Sequence, residues 1–347
     1  MKFASILLCL LTLMASADQV AAQPTTLRLT MQVSTNNPLG RNVMDYKQAV
    51  ETAAGGTLAL DVRDKAQLFL DNQVPEAVGS GAVEMGIAQL GFYAGWEPSV
   101  ELFQQPFLFD SDELTRAAAD PSSEIRRYID EQILQKTGAR VLWWQPYGAT
   151  VVMSKSAPIS NPEAMKGRNV RAFDAVAAEF VSLCGATPQV ISGSKMLDAL
   201  KAQKIDAVMT GVTGIPEREL WRETQFITRI RHSAIIFVGI INEKIWQGLP
   251  VSLQKLMTIA ARNEESGFWN RFAAAEVDAY RFAIEKGMQV REISESELTD
   301  WRVCSSELLE RFVEKMGEPG VKLMAAYGKL KSSQHGAEKE IQPVAGR

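Results

Sequence analysis

The sequence predicts an α/β protein of two lobes, each a mainly parallel sheet with flanking helices, facing one cleft. Three observations carry this. Between Leu27 and Ala88 the pattern runs strand, helix, strand, helix, strand, an order that builds parallel sheets. A second series of the same kind opens near Thr150. The two series also echo each other: Glu76 to Met85 (EAVGSGAVEM) aligns without gaps on Asp198 to Ala207 (DALKAQKIDA), each a helix end running into an apolar strand with an acidic tip.

In the first series Leu27, Leu29, Met31 and Val33 alternate with Arg28, Thr30 and Gln32 at strand period. After the loop Asn36-Asn37-Pro38-Leu39-Gly40, a helix to about Ala54 groups Val43, Tyr46, Val50 and Ala53 on one face, and Gly55-Gly56 stop it. Leu58, Leu60 and Val62 form a second strand. A helix from about Asp71 to Ser80 and a strand from Val83 to Ala88 follow. The stretch Ala139 to Trp144 reads as a further strand, with Gln145 to Thr150 beyond its end.

In the second series Val151 to Ser154 is a strand. Asn161 caps a short helix with Pro162 in its first turn, and Gly167 supplies the left-handed residue that ends it. A strand then carries Val170, Arg171, Ala172 and Phe173. Asp174 to Leu183 is a helix ended by Gly185, Pro188 to Ile191 is extended, Ser194 to Lys204 is a helix and Ile205 to Met209 a strand. Pro250 to about Gly287 is one long helical tract. Leu253, Leu256, Ile259 and Ala260 form its apolar face, Phe268, Phe272 and Val277 extend it, and Ser266-Gly267 allow a bend. Glu295 to Gly317 is helical again.

The N-terminus has the form of an export signal: Lys2, an apolar core from Ile6 to Met14, and cleavage after Ala17 or Ala22. The core is too short to span a bilayer, which needs about 20 apolar residues. The expected division is a signal peptide over 1–22, lobe I over 23–148 plus about 237–275, lobe II over 149–236 plus about 276–330, and a disordered tail over 331–347. A formal charge of −4 over 347 residues argues against nucleic acid as a partner. Outside the signal, Cys184 and Cys304 remain. An oxidising compartment lets them pair if they are neighbours, but buried free thiols are the default expectation. Two cysteines and His232 show no metal-ligand spacing, and no cofactor is expected.

The stretch Asn161 to Phe173 (NPEAMKGRNVRAF) carries the most information. Read locally, Arg171 is a surface or salt-bridged arginine; on a strand among small and apolar neighbours, its planar fork also suits one carboxylate. With Gly56-Thr57-Leu58-Ala59-Leu60, Gln67-Leu68, Gly81 to Gly86 and Gln105-Pro106-Phe107-Leu108-Phe109, this stretch resembles the carboxylate-binding solute-binding proteins of tripartite ATP-independent periplasmic (TRAP) transporters, over roughly residues 27 to 330. The resemblance implies a periplasmic-binding-protein fold with a helix spanning both lobes. It also implies export to the periplasm, capture of an organic acid with Arg171 as clamp, and delivery to integral-membrane permease subunits.

Ligands of open α/β sheets sit beyond strand carboxyl ends, which points to Gln89, Leu90, Gly91, Phe92 and Tyr93, to Tyr147 and Thr150, and to Thr210 to Gly214. Trp143 and Trp144 point to opposite sides of a strand; Trp144 is expected to wall the cleft. Phe173 follows Arg171 into the same region. By the resemblance, Gln89 matches a polar ligand contact and Trp221 an aromatic beside the ligand. Two departures stand out. Thr150 occupies the position where many members carry a second arginine, and Thr210 replaces the usual asparagine. These favour a monocarboxylate with an apolar, aromatic or hydroxylated remainder, with Lys195 or Arg41 as reserve cations. Rival readings are a ligand-binding partner of a membrane sensor, and an exported enzyme using Asp61 with Asp64 or Glu84 with Asp206. The sequence has no Gly-x-Ser-x-Gly elbow, and His232 precedes an apolar strand, where a structural role is expected.

Overall fold

Two sheets form, and the chain passes between them where a strand of one runs on into a strand of the other. The structure is a computed structural model that describes residues 24–341; the expected signal peptide lies outside the described residues. The first sheet comprises β1 (Thr25–Thr30), β2 (Leu58–Arg63), β3 (Met85–Gln89), β4 (Ala139–Ala149) and β10 (Ala234–Asn242), in the order β2-β1-β3-β10-β4. The second comprises β5 (Val151–Ser154), β6 (Asn169–Ala172), β7 (Thr187–Val190), β8 (Ala207–Thr210), β9 (Phe226–Arg229) and β11 (Gln289–Glu292), in the order β11-β9-β5-β8-β6-β7. Each sheet has one strand antiparallel to its neighbours, β10 in the first and β5 in the second. Met85 and Ala207, aligned in the sequence echo, open the corresponding strands β3 and β8.

Several helices arise where the punctuation placed them. On the first lobe lie α1 (Pro38–Ala54), α2 (Val74–Ser80), α3 (Asp112–Ala119) and α4 (Glu124–Thr137). Asn37 caps α1 by accepting from the Leu39 N–H, and Gly55 ends it in the left-handed region. On the second lobe lie α5 (Pro162–Met165), α6 (Ala175–Leu183) and α7 (Met196–Lys201). Asn161 and Asp174 cap α5 and α6 through their side-chain oxygens. The short α8 (Glu243–Gly248) leads into α9 (Val251–Glu285), a single helix of 35 residues. It packs on α1 and β4 of the first lobe, then on the Val212–Gly214 turn and β11 of the second. Its buried face uses Met257, Ala260, Ala261, Phe268, Phe272 and Ala279; Ile259 and Val277, expected on that face, are exposed. No helix among the described residues is long and apolar enough to cross a membrane.

The C-terminal helices depart from the expected division. α10 (Glu295–Cys304) joins the second lobe: Trp301 stacks on Phe180 of α6 and donates its indole N–H to the Ser160 carbonyl at 2.9 Å. This docking brings Cys304 against Cys184 with a Cα–Cα distance of 5.2 Å, and the two form a disulfide. The default of free thiols is therefore corrected; a separation of 120 residues leaves no local trace of the pairing. Next, α11 (Glu307–Met316) and α12 (Glu318–Ile341) return to the first lobe, where Phe312, Leu323 and Tyr327 enter its core and α12 packs on α3 and α4. The chain to residue 330 thus does not stay in the second lobe. Residues 331–341, expected to be disordered, continue α12, and 342–347 lie outside the described residues.

Two adjacent crossings join the lobes, β4 into β5 through Thr150 and β9 into β10 through residues 230–233. The second comes earlier than the expected boundary at 236, because β10 pairs with the first sheet from Ala234 onward. The crossings bond each other: Thr150 N–H donates to the Ser233 carbonyl at 2.9 Å, and His232 N–H to the Thr150 carbonyl at 3.3 Å. His232 is buried beside Phe180, and burial pushes its pKa down to about 3, in keeping with a structural role. On the other side, the Glu276 carboxyl of α9 lies against Gly148 and accepts from the Ala149 N–H. Gly148 has φ +103° and a Cβ there would sit 2.3 Å from Glu276 Oε1, so both backbone geometry and space require glycine.

Two predictions follow from these contacts. Replacing both cysteines (Cys184→Ser with Cys304→Ser) is expected to cost about 2–5 kcal/mol in urea unfolding; unchanged stability would remove the disulfide from the account. Burial raises the Glu276 pKa from 4.5 to about 7, so its proton is held more tightly in the folded state. That contribution is complete below 4.5 and is lost as pH rises through about 7. Glu276→Gln should therefore gain melting temperature over the native chain across this window, and the gap should level off above it.

Candidate functional site

The cleft between the lobes is closed down to a narrow cavity. Hydrogen bonds cross it at several points. Gly193 N–H donates to Asp71 Oδ2 at 2.9 Å, Asn37 Nδ2 to the Thr213 carbonyl at 3.2 Å, Arg218 Nη2 to Gln32 Oε1 at 3.3 Å, and Gln89 Nε2 to Asp174 Oδ2 at 3.4 Å. The approach at Gly193 is close: a Cβ there would meet Gln32 Oε1 at 2.6 Å and Arg218 Nη1 at 2.8 Å.

Arg171 is the fixed point of the cavity. It projects from β6 and donates from Nε to the Ile191 carbonyl and from Nη1 to the Met209 carbonyl, both at 2.8 Å. Nη2 has no protein partner among the described residues, and the side chain lines the cavity. Its ring neighbour is Phe173, 5.9 Å from the guanidinium carbon. The guanidinium is buried, and burial, with the repulsion of Arg218, pulls its pKa down to about 10. It remains a cation at neutral pH, held in low dielectric without a carboxylate in hydrogen-bond contact, which favours an incoming anion.

Gln89, Thr210, Phe173 and Tyr147 line the cavity with Arg171. Gln89 ends β3 and Thr210 ends β8, both at strand carboxyl ends. Gln89 Oε1 and Tyr147 Oη are buried without hydrogen-bond partners. Tyr147 reaches the cleft through an irregularity: β10 pairs Ile235 with Gly148 and Ile236 with Pro146, so Tyr147 is the extra residue of a bulge, a device that re-aims a side chain. Asp174, the α6 cap, sits behind Gln89, and burial raises its pKa to about 6.

Three expected site residues are placed elsewhere. Trp144 is buried in the first-lobe core, where its indole N–H donates to Asp130 Oδ1 at 2.7 Å and its ring meets Phe103 edge-on. Trp143, on the opposite face of β4, packs on Tyr46. Both faces of this sheet are covered by helices, so strand alternation sends neither indole to the cleft. Thr150 lies in the crossing, its hydroxyl 2.9 Å from that of Ser233. Trp221 packs on Phe282 and under Lys286 at the outer edge of the second lobe.

The second cation of the cavity is Arg218. The proposed reserves, Lys195 and Arg41, are both exposed and outside its lining. Gln32, Asp71, Phe92 and Phe237 complete the wall. Gln32 follows the end of β1 and was findable by the strand-end rule; Arg218 lies in an irregular segment with no periodicity to flag it. The acid pairs suggested for an enzyme do not line this cavity. Glu84 forms a two-pronged pair with Arg28, Asp61 pairs with Arg63, Asp64 accepts from Thr35 N–H, and Asp206 accepts from Asn169 N–H. A wider cavity lies under α9 by the crossings, lined in part by Phe109, Pro146 and Trp269. Its two arginines are already engaged, Arg231 with Asp112 and Arg116 with Asn270, both at 2.7 Å.

The chain is similar to known proteins in sequence and in fold. Residues 29–316 match the family described as bacterial extracellular solute-binding protein, family 7. A C4-dicarboxylate-binding periplasmic protein of Shewanella loihica is 25% identical over 303 residues, covering 86% of this chain and 88% of that protein. The sialic acid-binding periplasmic protein of Vibrio cholerae is 24% identical, covering 92% and 98%. Among solved structures, a Bordetella pertussis extracytoplasmic solute receptor binding pyroglutamic acid superposes with a TM-score of 0.83 at 20% identity, over 87% of this chain and 99% of that one. An Advenella mimigardefordensis sugar acid binding protein in complex with galactonate gives 0.83 at 19% identity, over 89% and 99%.

Proposed function

The chain belongs to the bacterial extracellular solute-binding proteins of family 7, and from that premise we propose that it is the periplasmic receptor of a TRAP transporter, closing on a small organic acid and handing it to the permease. The observation that carries this reading is Arg171: a buried guanidinium with two nitrogens held by backbone carbonyls and the third turned to the cleft. Such a fork binds a carboxylate in one geometry. The named ligands of the relatives are carboxylic acids, which supports the class. Hinge closure of two lobes is the established motion for proteins of this shape. The N-terminal segment 1–22 acts as the export signal, and the mature chain works in the periplasm as a binding protein without catalysis.

In this reading the ligand is a monocarboxylate. Asp71 lies in the cleft with Arg171 and Arg218, and Glu217 is 3.6 Å from Arg218, so a second carboxylate on the ligand would meet no unmatched cation. Phe92, Phe173 and Phe237 offer apolar surface to the remainder of the acid, while Gln89, Thr210 and Tyr147 offer polar atoms to orient it.

A thermal-shift panel of small organic acids on the mature chain tests this. An acid at about 100 times Kd adds about 2.7 kcal/mol of stability. Arg171→Ala should weaken the best acid by about 2–5 kcal/mol. A panel without hits, or hits of equal strength in Arg171→Ala, would overturn the assignment.

A further inference from the structure

We propose that Arg218 is a second ligand-reading residue of the cleft, selecting monocarboxylates that carry a hydroxyl close to the carboxylate. This rests on the receptor reading above and names the substrate class of the same site. Arg218 is half-buried beside the same cavity as Arg171 but is far less well satisfied. Its contacts are a 3.3 Å bond from Nη2 to Gln32 Oε1 and a 3.6 Å ion pair from Nε to Glu217. The face of Tyr147 lies 5.7 Å from the guanidinium carbon and fixes its plane. A guanidinium has five N–H donors, so Arg218 keeps donating capacity toward the cavity.

The complementary atom is also present. Gln89 turns its nitrogen to Asp174, and its Oε1 is buried without a partner. A buried acceptor without a donor is costly. The cavity therefore presents a fixed carboxylate fork, a second donor group and an unpaired acceptor. A hydroxyl is a single neutral group that accepts from one side and donates to the other. With its carboxylate on Arg171, a hydroxy acid accepts from Arg218 and donates to Gln89. Because Arg218 also bonds Gln32 across the cleft, the residue that reads the hydroxyl is one that joins the lobes in the closed form.

The test is calorimetric titration of the full mature chain, stripped of co-purified ligand by unfolding and refolding with the disulfide intact. The probes are 2-hydroxybutyrate, 3-hydroxybutyrate, butyrate and succinate, and the chains are the native protein, Arg218→Met, Arg218→Lys and Arg171→Ala. The native chain should prefer a hydroxybutyrate to butyrate by about tenfold or more, the worth of a hydrogen bond to a charged group. In Arg218→Met that preference should fall to about twofold or less, whatever the change in butyrate affinity itself. Arg218→Lys, which keeps the charge and loses the fork, should give an intermediate preference and serves if the Met variant does not fold. Equal native affinity for butyrate and both hydroxybutyrates, tightest binding of succinate, no binding of any probe, or a preference that survives in both Arg218 variants would overturn the proposal. Loss of all binding in Arg171→Ala with an unchanged hydroxyl preference in the Arg218 variants would sink this inference and leave the receptor reading standing. Undiminished binding in Arg171→Ala would sink that reading instead.

Discussion

The fold is organised around one buried cation. The Arg171 guanidinium is held by carbonyls that end two different segments, Ile191 after β7 and Met209 within β8. Those bonds are possible because β6 lies between β7 and β8 in the second sheet, so the parallel order of three short strands sets the direction of one side chain. Neutral carbonyls orient the charge without neutralising it. The pKa remains well above neutrality, at about 10, and the side chain lines the cleft cavity. A cation left in that condition costs free energy until an anion arrives.

Closure follows from how the chain is shared between lobes. Each sheet has one antiparallel strand, and each is reached through a crossing: β4 runs into β5, and β9 into β10. The crossings are hydrogen-bonded to each other and α9 lies across both lobes, so the lobes can turn about a short, ordered seam while the sheets stay intact. The hydrogen bonds across the cleft are of the kind that open and close at modest cost. The disulfide and Trp301 fasten α10 to α6 within the second lobe, whereas α11 and α12 pack on the first. The C-terminus is thus a further link between the lobes.

Most elements were legible because their signals are local. Asn161 caps the helix it was expected to cap, and the strand alternation of Leu27 and Leu29 or Leu58 and Leu60 maps onto buried faces. Arg171, Gln89 and Thr210 were legible as cleft residues because strand ends are fixed by the same periodicity. What escaped depends on the partners of each element. Trp144 was assigned by alternation, but both faces of β4 are covered, and a bulge rather than alternation sends Tyr147 inward. Arg218 sits in a segment without period, the cysteines are joined only by docking of distant helices, and the polar residues after Leu330 continue a helix whose earlier turns are anchored by Leu323 and Tyr327.

The most direct test works on the ligand. The best-binding acid of the panel and its primary amide, nearly identical in shape, should be titrated into the native chain by calorimetry. If Arg171 holds a carboxylate in a buried fork, the amide should lose about 2 kcal/mol or more, as expected when a buried charge loses its partner. An amide that binds as tightly as the acid would contradict the account, because the cleft would then be reading shape and not charge.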